Sequence, residues 1–315
     1  MIGYDLDIAK AFLQEGKTVA IPTETVYGLA ANALDKEAVL SIFQIKNRPH
    51  FDPLILHTHA ISEFEKYVTH IPKPLQLLAE AFSPGPITLL LPKKNIIPDI
   101  VTSGLVNVAI RIPNHPLTLE LLRNIDFPLA APSANPFGYV SPTTAEHVNK
   151  QLGTQIPYIL DGGACNIGLE STIVGMEGDD IIIYRLGGLS IEAIEVVVGT
   201  VKVQLNQSSN PAAPGMLKSH YAPRLPLIIT NIQEFIQAHP QQKIGIISFM
   251  HDYSNEYANC FRLSAEGNLN EAAQNLFTAL RHFDDTDVEV IITEKLPDSF
   301  LGRAINDRLT RAAAH

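Results

Sequence analysis

Apolar and polar positions along this chain follow two rhythms. Over the first two thirds, short β-branched runs alternate with stretches whose apolar residues recur at helical spacing. Thr18-Val19-Ala20-Ile21 is apolar, β-branched and closed by Pro22, which predicts a buried strand. Asp35 stands where a helix cap is expected, ahead of Ala38, Val39, Ile42, Phe43 and Ile45 on one helical face. Extended runs follow at 53–57, 87–91, 106–112, 129–131, 158–160, 171–174 and 181–185, with helices predicted near 62–67, 74–82 and 144–152. Connections of such unequal length predict a mixed sheet rather than a purely parallel one, and hence an α/β domain over residues 1–203.

The stretch 204–226 breaks the rhythm. It is polar, proline-rich and aperiodic, and reads as a linker. Beyond it, strands are predicted at 227–230, 243–249 and 288–293. Helices are predicted at 232–238 and 270–283, and a last one carries Ala304, Ile305, Leu309 and Ala312. That regular alternation predicts a small three-layer αβα domain over 227–315.

Composition narrows the function classes. The chain's 315 residues give room for two cores, and 46% hydrophobic with 18% charged residues excludes a disordered polymer. A formal charge of −10 argues against a surface built as a nucleic-acid platform, so an anionic substrate must meet a concentrated set of arginines and lysines. Cys165 and Cys260 are far apart and in no CxxC arrangement, which predicts reduced thiols. With no cationic leader and no apolar run of about 18 residues, a cytoplasmic protein without membrane contact is expected. There is no phosphate loop, GxGxxG, HExxH or cysteine–histidine metal spacing.

Four segments concentrate polar side chains beside predicted strands. Pro22-Thr23-Glu24-Thr25-Val26-Tyr27-Gly28-Leu29 offers hydroxyls at a strand end, although its spacing fits best a helix start capped by Thr23 with Glu24 in the first turn. Lys46-Asn47-Arg48-Pro49 closes a predicted helix, where cations suit the helix dipole or converge on a phosphate. Arg111 lies inside the apolar run Ala109–Pro113, so it either pairs with a protein carboxylate or faces a ligand carboxylate or phosphate. Ala131-Pro132-Ser133-Ala134-Asn135, with Gly138 and Ser141-Pro142-Thr143, is either a turn-rich loop or a place where a ligand approaches the backbone.

Taken together, PTETVYGL, KNRP followed by PLILH, VAIRIPNHP, APSANPFGYVSPT, GLESTIV and YRLGG stand in the order seen in the YrdC-like family, which the chain resembles over nearly its whole length. PGMLKSHYAP and the terminal GRAINDRLTRAA are similar to the family's longer, two-domain form. The resemblance implies a YrdC-like open twisted mixed sheet with helices, a linker that closes over the site, and a smaller Rossmann-like three-layer αβα C-terminal domain. It further implies a nucleotidyltransferase reaction. L-threonine and bicarbonate form a carbamate whose oxygen attacks the α-phosphate of ATP, releasing pyrophosphate and leaving threonylcarbamoyl-AMP. Mg²⁺ is expected on the phosphates, and a downstream tRNA threonylcarbamoyl transferase complex is expected to use the product, with weak tRNA contact by this protein at most.

Carried over onto this chain, the resemblance implies that Lys46 and Arg48 clamp phosphates. Asp52, Ser133, Ser141, Arg185 and Tyr221 join Arg48 on ATP, and Asn135 completes the S-x-N element. Thr25, His57, Arg111, Ala131 and Ser171 are implied to hold L-threonine, with Arg111 opposing its carboxylate. Lys218 and His220 flank Tyr221 in the closing segment. Several positions depart from the family's habit: Asp52 where Asn is common, Asn107 for a frequent Thr, Leu186 where proline is usual, and Lys218-Ser219 for a more basic pair. A non-catalytic RNA-binding module and a sensor of threonine or ATP are the alternative readings. The acidic balance and ligand-type residues such as Thr25 and Ser171 weigh against RNA. A carbamoyl-transferring relative from hydrogenase maturation carries zinc-binding parts for which two cysteines do not suffice.

Overall fold

The computed structural model describes residues 1–205 and 221–314. The fifteen strands among them are β1 (Ile2–Gly3), β2 (Val19–Ile21), β3 (Gly28–Asn32), β4 (Ile55–His57), β5 (Ile87–Pro92), β6 (Asn107–Arg111), β7 (Leu129–Ala130) and β8 (Tyr158–Leu160), then β9 (Thr172–Glu177), β10 (Asp180–Arg185), β11 (Lys202–Val203), β12 (Leu227–Ile229), β13 (Ile244–Ser248), β14 (Cys260–Arg262) and β15 (Val290–Thr293). They form two sheets. The larger runs β1-β8-β2-β3-β7-β4-β6-β5-β9-β10-β11 and mixes parallel with antiparallel pairs, as the uneven connections predict. The smaller runs β12-β15-β13-β14 and is parallel throughout.

Side-chain alternation along the strands explains the layers. Val19 and Ile21 face one side of β2 and pack with Ala9, Leu13, Leu121 and Leu122, which lie on helices Leu6–Gln14 and Pro116–Arg123. Ala20 faces the other side and joins the main core with Val39, Ile42 and Phe43 of helix Lys36–Lys46. Asp35 caps that helix as expected, accepting from the amides of Glu37 and Ala38. Helices Leu6–Gln14, Pro116–Arg123 and Ile191–Val198 were not anticipated from the pattern.

The smaller sheet is sandwiched as the predicted αβα unit. Helix Ile232–Ala238 covers the face that carries Ile244, Ile246, Val290 and Ile292. On the opposite face, Ile247 and Ile291 pack with helices Leu269–His282 and Leu301–Ala312. This second helical layer is also the one that meets the larger unit. Arg281 donates to the Val140 carbonyl and stacks on Tyr139, whose hydroxyl donates to Asp284. Among the described residues, no helix is long and apolar enough to cross a membrane.

One expectation fails at the site's entrance. Thr23 does not cap a helix, because the chain turns and enters β3 instead. Its Oγ1 accepts from the amides of Thr25 (3.1 Å) and Val26 (3.2 Å), the contacts a cap would make, but within a turn. Pairing of Gly28–Asn32 with β2 and β7 then outweighs any local helical preference.

Candidate active site

Strands β4 and β6 run parallel with Ile55 opposite Ala109 and His57 opposite Arg111, so His57 and Arg111 emerge side by side on one face. The loop after β7 lies against them: the Ala131 amide donates to the Ile55 carbonyl (3.0 Å), and the Leu29 amide donates to the Pro132 carbonyl (2.8 Å). Along the other wall, Gly188 donates its amide to the Glu170 carbonyl (2.8 Å). Here glycine is required, since a Cβ at Gly187 would stand 2.2 Å from that same carbonyl oxygen. These approaches enclose one cavity. Of the thirteen side chains the sequence singles out, nine line it: Thr25, Arg48, His57, Arg111, Ala131, Ser133, Ser171, Arg185 and Tyr221.

The other four stand behind the wall. Lys46 is 1% exposed, and its ammonium donates to the carbonyls of Ser133 (2.5 Å) and Asn135. Its ammonium thereby braces the S-x-N loop. Burial, reinforced by Arg48, pushes its pKa well below the usual lysine range. The Asn135 amide donates to the Pro136 and Tyr139 carbonyls, closing the same turn. Ser141 donates to Glu170 Oε1 (2.6 Å). Asp52 is fully buried with Oδ2 at 2.8 Å from Arg48 Nη2, which is how a carboxylate is tolerated so near a phosphate candidate.

Three arginines give the cavity its charge. Arg48 donates to the carbonyls of Asp52 (3.1 Å) and Pro53 (2.9 Å), and burial lowers its pKa. Arg185 donates from Nε to the Ser171 carbonyl and from Nη2 to Ser171 Oγ, both at 3.0 Å; burial pulls it down to about 10, still charged near neutrality. Arg111 lies 2.7 Å from Glu24 and donates to Thr25 Oγ1 (2.9 Å) and to the Gly85 carbonyl (3.2 Å). Of the two readings left open for Arg111, the protein carboxylate is therefore the one realised, and any ligand carboxylate must share this guanidinium. His57 is pushed down to about 3 by burial and by Arg111, so its ring is neutral at physiological pH.

Two residues were missed in the sequence. Glu170 is the lone carboxylate among the lining residues, and Arg308 from the C-terminal unit pairs with it at 3.0 Å. Burial raises the Glu170 carboxyl, but Arg308 and Arg185 outweigh it and hold the group below its ordinary value. The available signal was a charged residue inside Leu169-Glu170-Ser171 and a conspicuously polar terminal helix. Tyr221 sits at positive φ (68°), 1% exposed, between the Arg308 guanidinium (4.9 Å) and the Phe277 ring (5.5 Å). Lys218, Ser219 and His220 lie outside the described residues.

Known proteins resemble this chain across both of its units. A family profile described as "Telomere recombination" (Sua5, YciO and YrdC) matches residues 11–187, and one described as "Threonylcarbamoyl-AMP synthase, C-terminal domain" matches 189–314. The threonylcarbamoyl-AMP synthase of Pyrococcus abyssi is 40% identical over 99% of this chain and 95% of its own, and that of Bacillus subtilis is 42% identical over 97% and 92%. The crystal structure of P. abyssi Sua5 complexed with L-threonine superposes with a TM-score of 0.93 at 40% identity, covering 98% of this chain and 94% of the other. From the first sheet to the last helix, the chain belongs to the Sua5/YciO/YrdC family, in its two-domain Sua5 form.

Proposed function

We propose that this enzyme makes threonylcarbamoyl-AMP and pyrophosphate from L-threonine, bicarbonate and ATP. The observation that carries the reading is the convergence of nine side chains from separate segments on one cavity, in a chain alike end to end to a relative solved with L-threonine. Three arginines line that cavity and present guanidinium donors to two anionic substrates, with Asp52 and Glu24 held behind two of them.

In this reading Thr25, His57, Arg111, Ala131 and Ser171 hold threonine. The neutral His57 ring adds hydrogen bonding without a further charge beside Arg111. Arg48, Ser133, Arg185 and Tyr221 face the nucleotide, while Lys46 and Asn135 fix the loop that presents Ser133. The carbamate oxygen attacks the α-phosphate, and the electron pair of the breaking P–O bond leaves with pyrophosphate. No protein nucleophile is needed; the contribution is orientation plus cations where phosphate charge develops.

The residues present do not make a resident Mg²⁺ site. Glu170 is engaged by Ser141 and Arg308, Asp52 by Arg48, and no cluster of three metal-ligating side chains occurs among the described residues. Mg²⁺ is therefore assigned to the ATP substrate, and no step runs through a protein-held ion. The units are taken as 1–203, a closing linker 204–226 and 227–315. Pairing of β11 with β10 and the start of β12 at Leu227 support those limits. The product passes to a tRNA threonylcarbamoyl transferase complex in the cytoplasm. Labelled bicarbonate tests the reading: label must enter an AMP-containing product only with threonine and ATP present, and label that never leaves the bicarbonate pool would refute it.

A further inference from the structure

The terminal motif GRAINDRLTRAA has no part in the chemistry described so far, yet its residues are spent on a polar network. On helix Leu301–Ala312, Asn306 accepts from the Leu296 amide and donates to the Leu296 carbonyl, both at 2.9 Å. Asp307 lies beside both Arg308 (2.5 Å) and Arg311 (3.6 Å). Arg308 has no exposed surface and reaches across to the larger unit.

There it grips the segments just before β9 and just after β10 in the nucleotide-side wall. Nε donates to Glu170 Oε2 (3.0 Å) and Nη2 to the Leu186 carbonyl (2.6 Å). Glu170 precedes Ser171 and Leu186 follows Arg185, the two residues that hydrogen-bond each other on the cavity lining. The second oxygen of Glu170 takes the Ser141 hydroxyl, and the guanidinium covers the Tyr221 ring. A buried ion pair is a poor adhesive, because desolvation offsets most of its attraction and apolar residues would join two units equally well. What it does supply is fixed geometry, together with neutralisation of the one carboxylate that lines the cavity.

We infer that Arg308 is a positioning residue for the nucleotide half of the site, acting through Glu170, so that the C-terminal unit completes the active site rather than merely adjoining it. The inference rests on the reading of this cavity as the ATP and threonine site. With Arg308 shortened or Glu170 made neutral, the fork that ties Glu170 to the Leu186 carbonyl slackens, and Arg185 and the adjoining wall lose their fixed places. Of the threonine half, His57 and Arg111 on β4 and β6 lie outside this network, and Ser171, bonded to Arg185, is the one residue that touches it.

The test uses the full chain with Arg308→Lys, with the near-isosteric Glu170→Gln, and with both together. Calorimetric titration with ATP and, separately, with L-threonine is read alongside thermal unfolding. Arg308→Lys is expected to raise the Kd for ATP at least about tenfold while moving that for threonine less than about threefold. The double variant should be no weaker than the weaker single one, since the pair acts as a unit. Equal loss of both ligands would mark a general structural role, and wild-type ATP affinity in folded Arg308→Lys and Glu170→Gln would overturn the inference. Should Arg308→Lys fail to fold, Glu170→Gln decides alone. If the wild type binds ATP but forms no adenylate, the functional reading fails and the binding comparison still judges Arg308; no ATP binding by the wild type would end both.

Discussion

Glu24 and Arg111, 87 positions apart in the chain, lie 2.7 Å from each other and are both almost wholly buried. The arginine assigned to the threonine carboxylate is thus already half of an ion pair, and the site must attract its substrate with a guanidinium that a protein carboxylate also holds. Removing the arginine does two things. Arg111→Ala should weaken threonine binding and also strand the Glu24 charge, at a cost of about 3–5 kcal/mol. Urea unfolding beside threonine titration checks both. A variant of wild-type stability would show that Glu24 does not depend on this partner, and unchanged threonine affinity would remove Arg111 from the carboxylate site.

Asp52 offers a test of opposite sign. Its carboxylate sits 2.8 Å from Arg48 and damps the charge available to a phosphate. Asp52→Asn should tighten ATP binding severalfold while lowering stability by about 2–3 kcal/mol, because a charged hydrogen bond is lost in a buried place. Weaker ATP binding by a folded variant would instead place Asp52 on the side of the nucleotide.

Acid should loosen the fold through His57. Its folded pKa is about 3 against an ordinary 6.5, so between those values the unfolded chain binds a proton that the native protein refuses. Stability therefore rises with pH through this window and is lost on acidification below about 6.5, by up to about 1.4 kcal/mol per pH unit from this group. His147, lowered to about 4, and His115 act in the same direction. Unfolding free energies from pH ~7 down to pH ~4 should show the slope, and His57→Gln should reduce it by one proton's worth. An unchanged slope in that variant would mean His57 is protonated in the folded protein.

What the sequence disclosed and what it hid separate along one physical line. Strands such as Val19–Ile21 and the Asp35-capped helix are written in local alternation and capping, and both are found. The Thr23 turn carries the same local signal as a helix cap, and only the pairing of Gly28–Asn32 with distant strands distinguishes the two. The cavity's segments were legible through their resemblance to a known order of motifs, yet their partners were not. Glu24 with Arg111, Lys46 with the 133–135 carbonyls, and Glu170 with Arg308 are all long-range contacts that no window along the chain contains. Hence the bracing contacts of Lys46 on the Ser133 and Asn135 carbonyls are not visible in the sequence.

The reaction assigned to this cavity is adenylation of a carbamate. Its most direct test is pyrophosphate release by the purified full chain with ATP, Mg²⁺, bicarbonate and L-threonine, omitting each in turn and identifying the nucleotide product by mass. Release is expected only when all are present, with threonylcarbamoyl-AMP as the product. Release indifferent to threonine or bicarbonate, or none at all from protein that binds both ATP and threonine, would contradict that assignment.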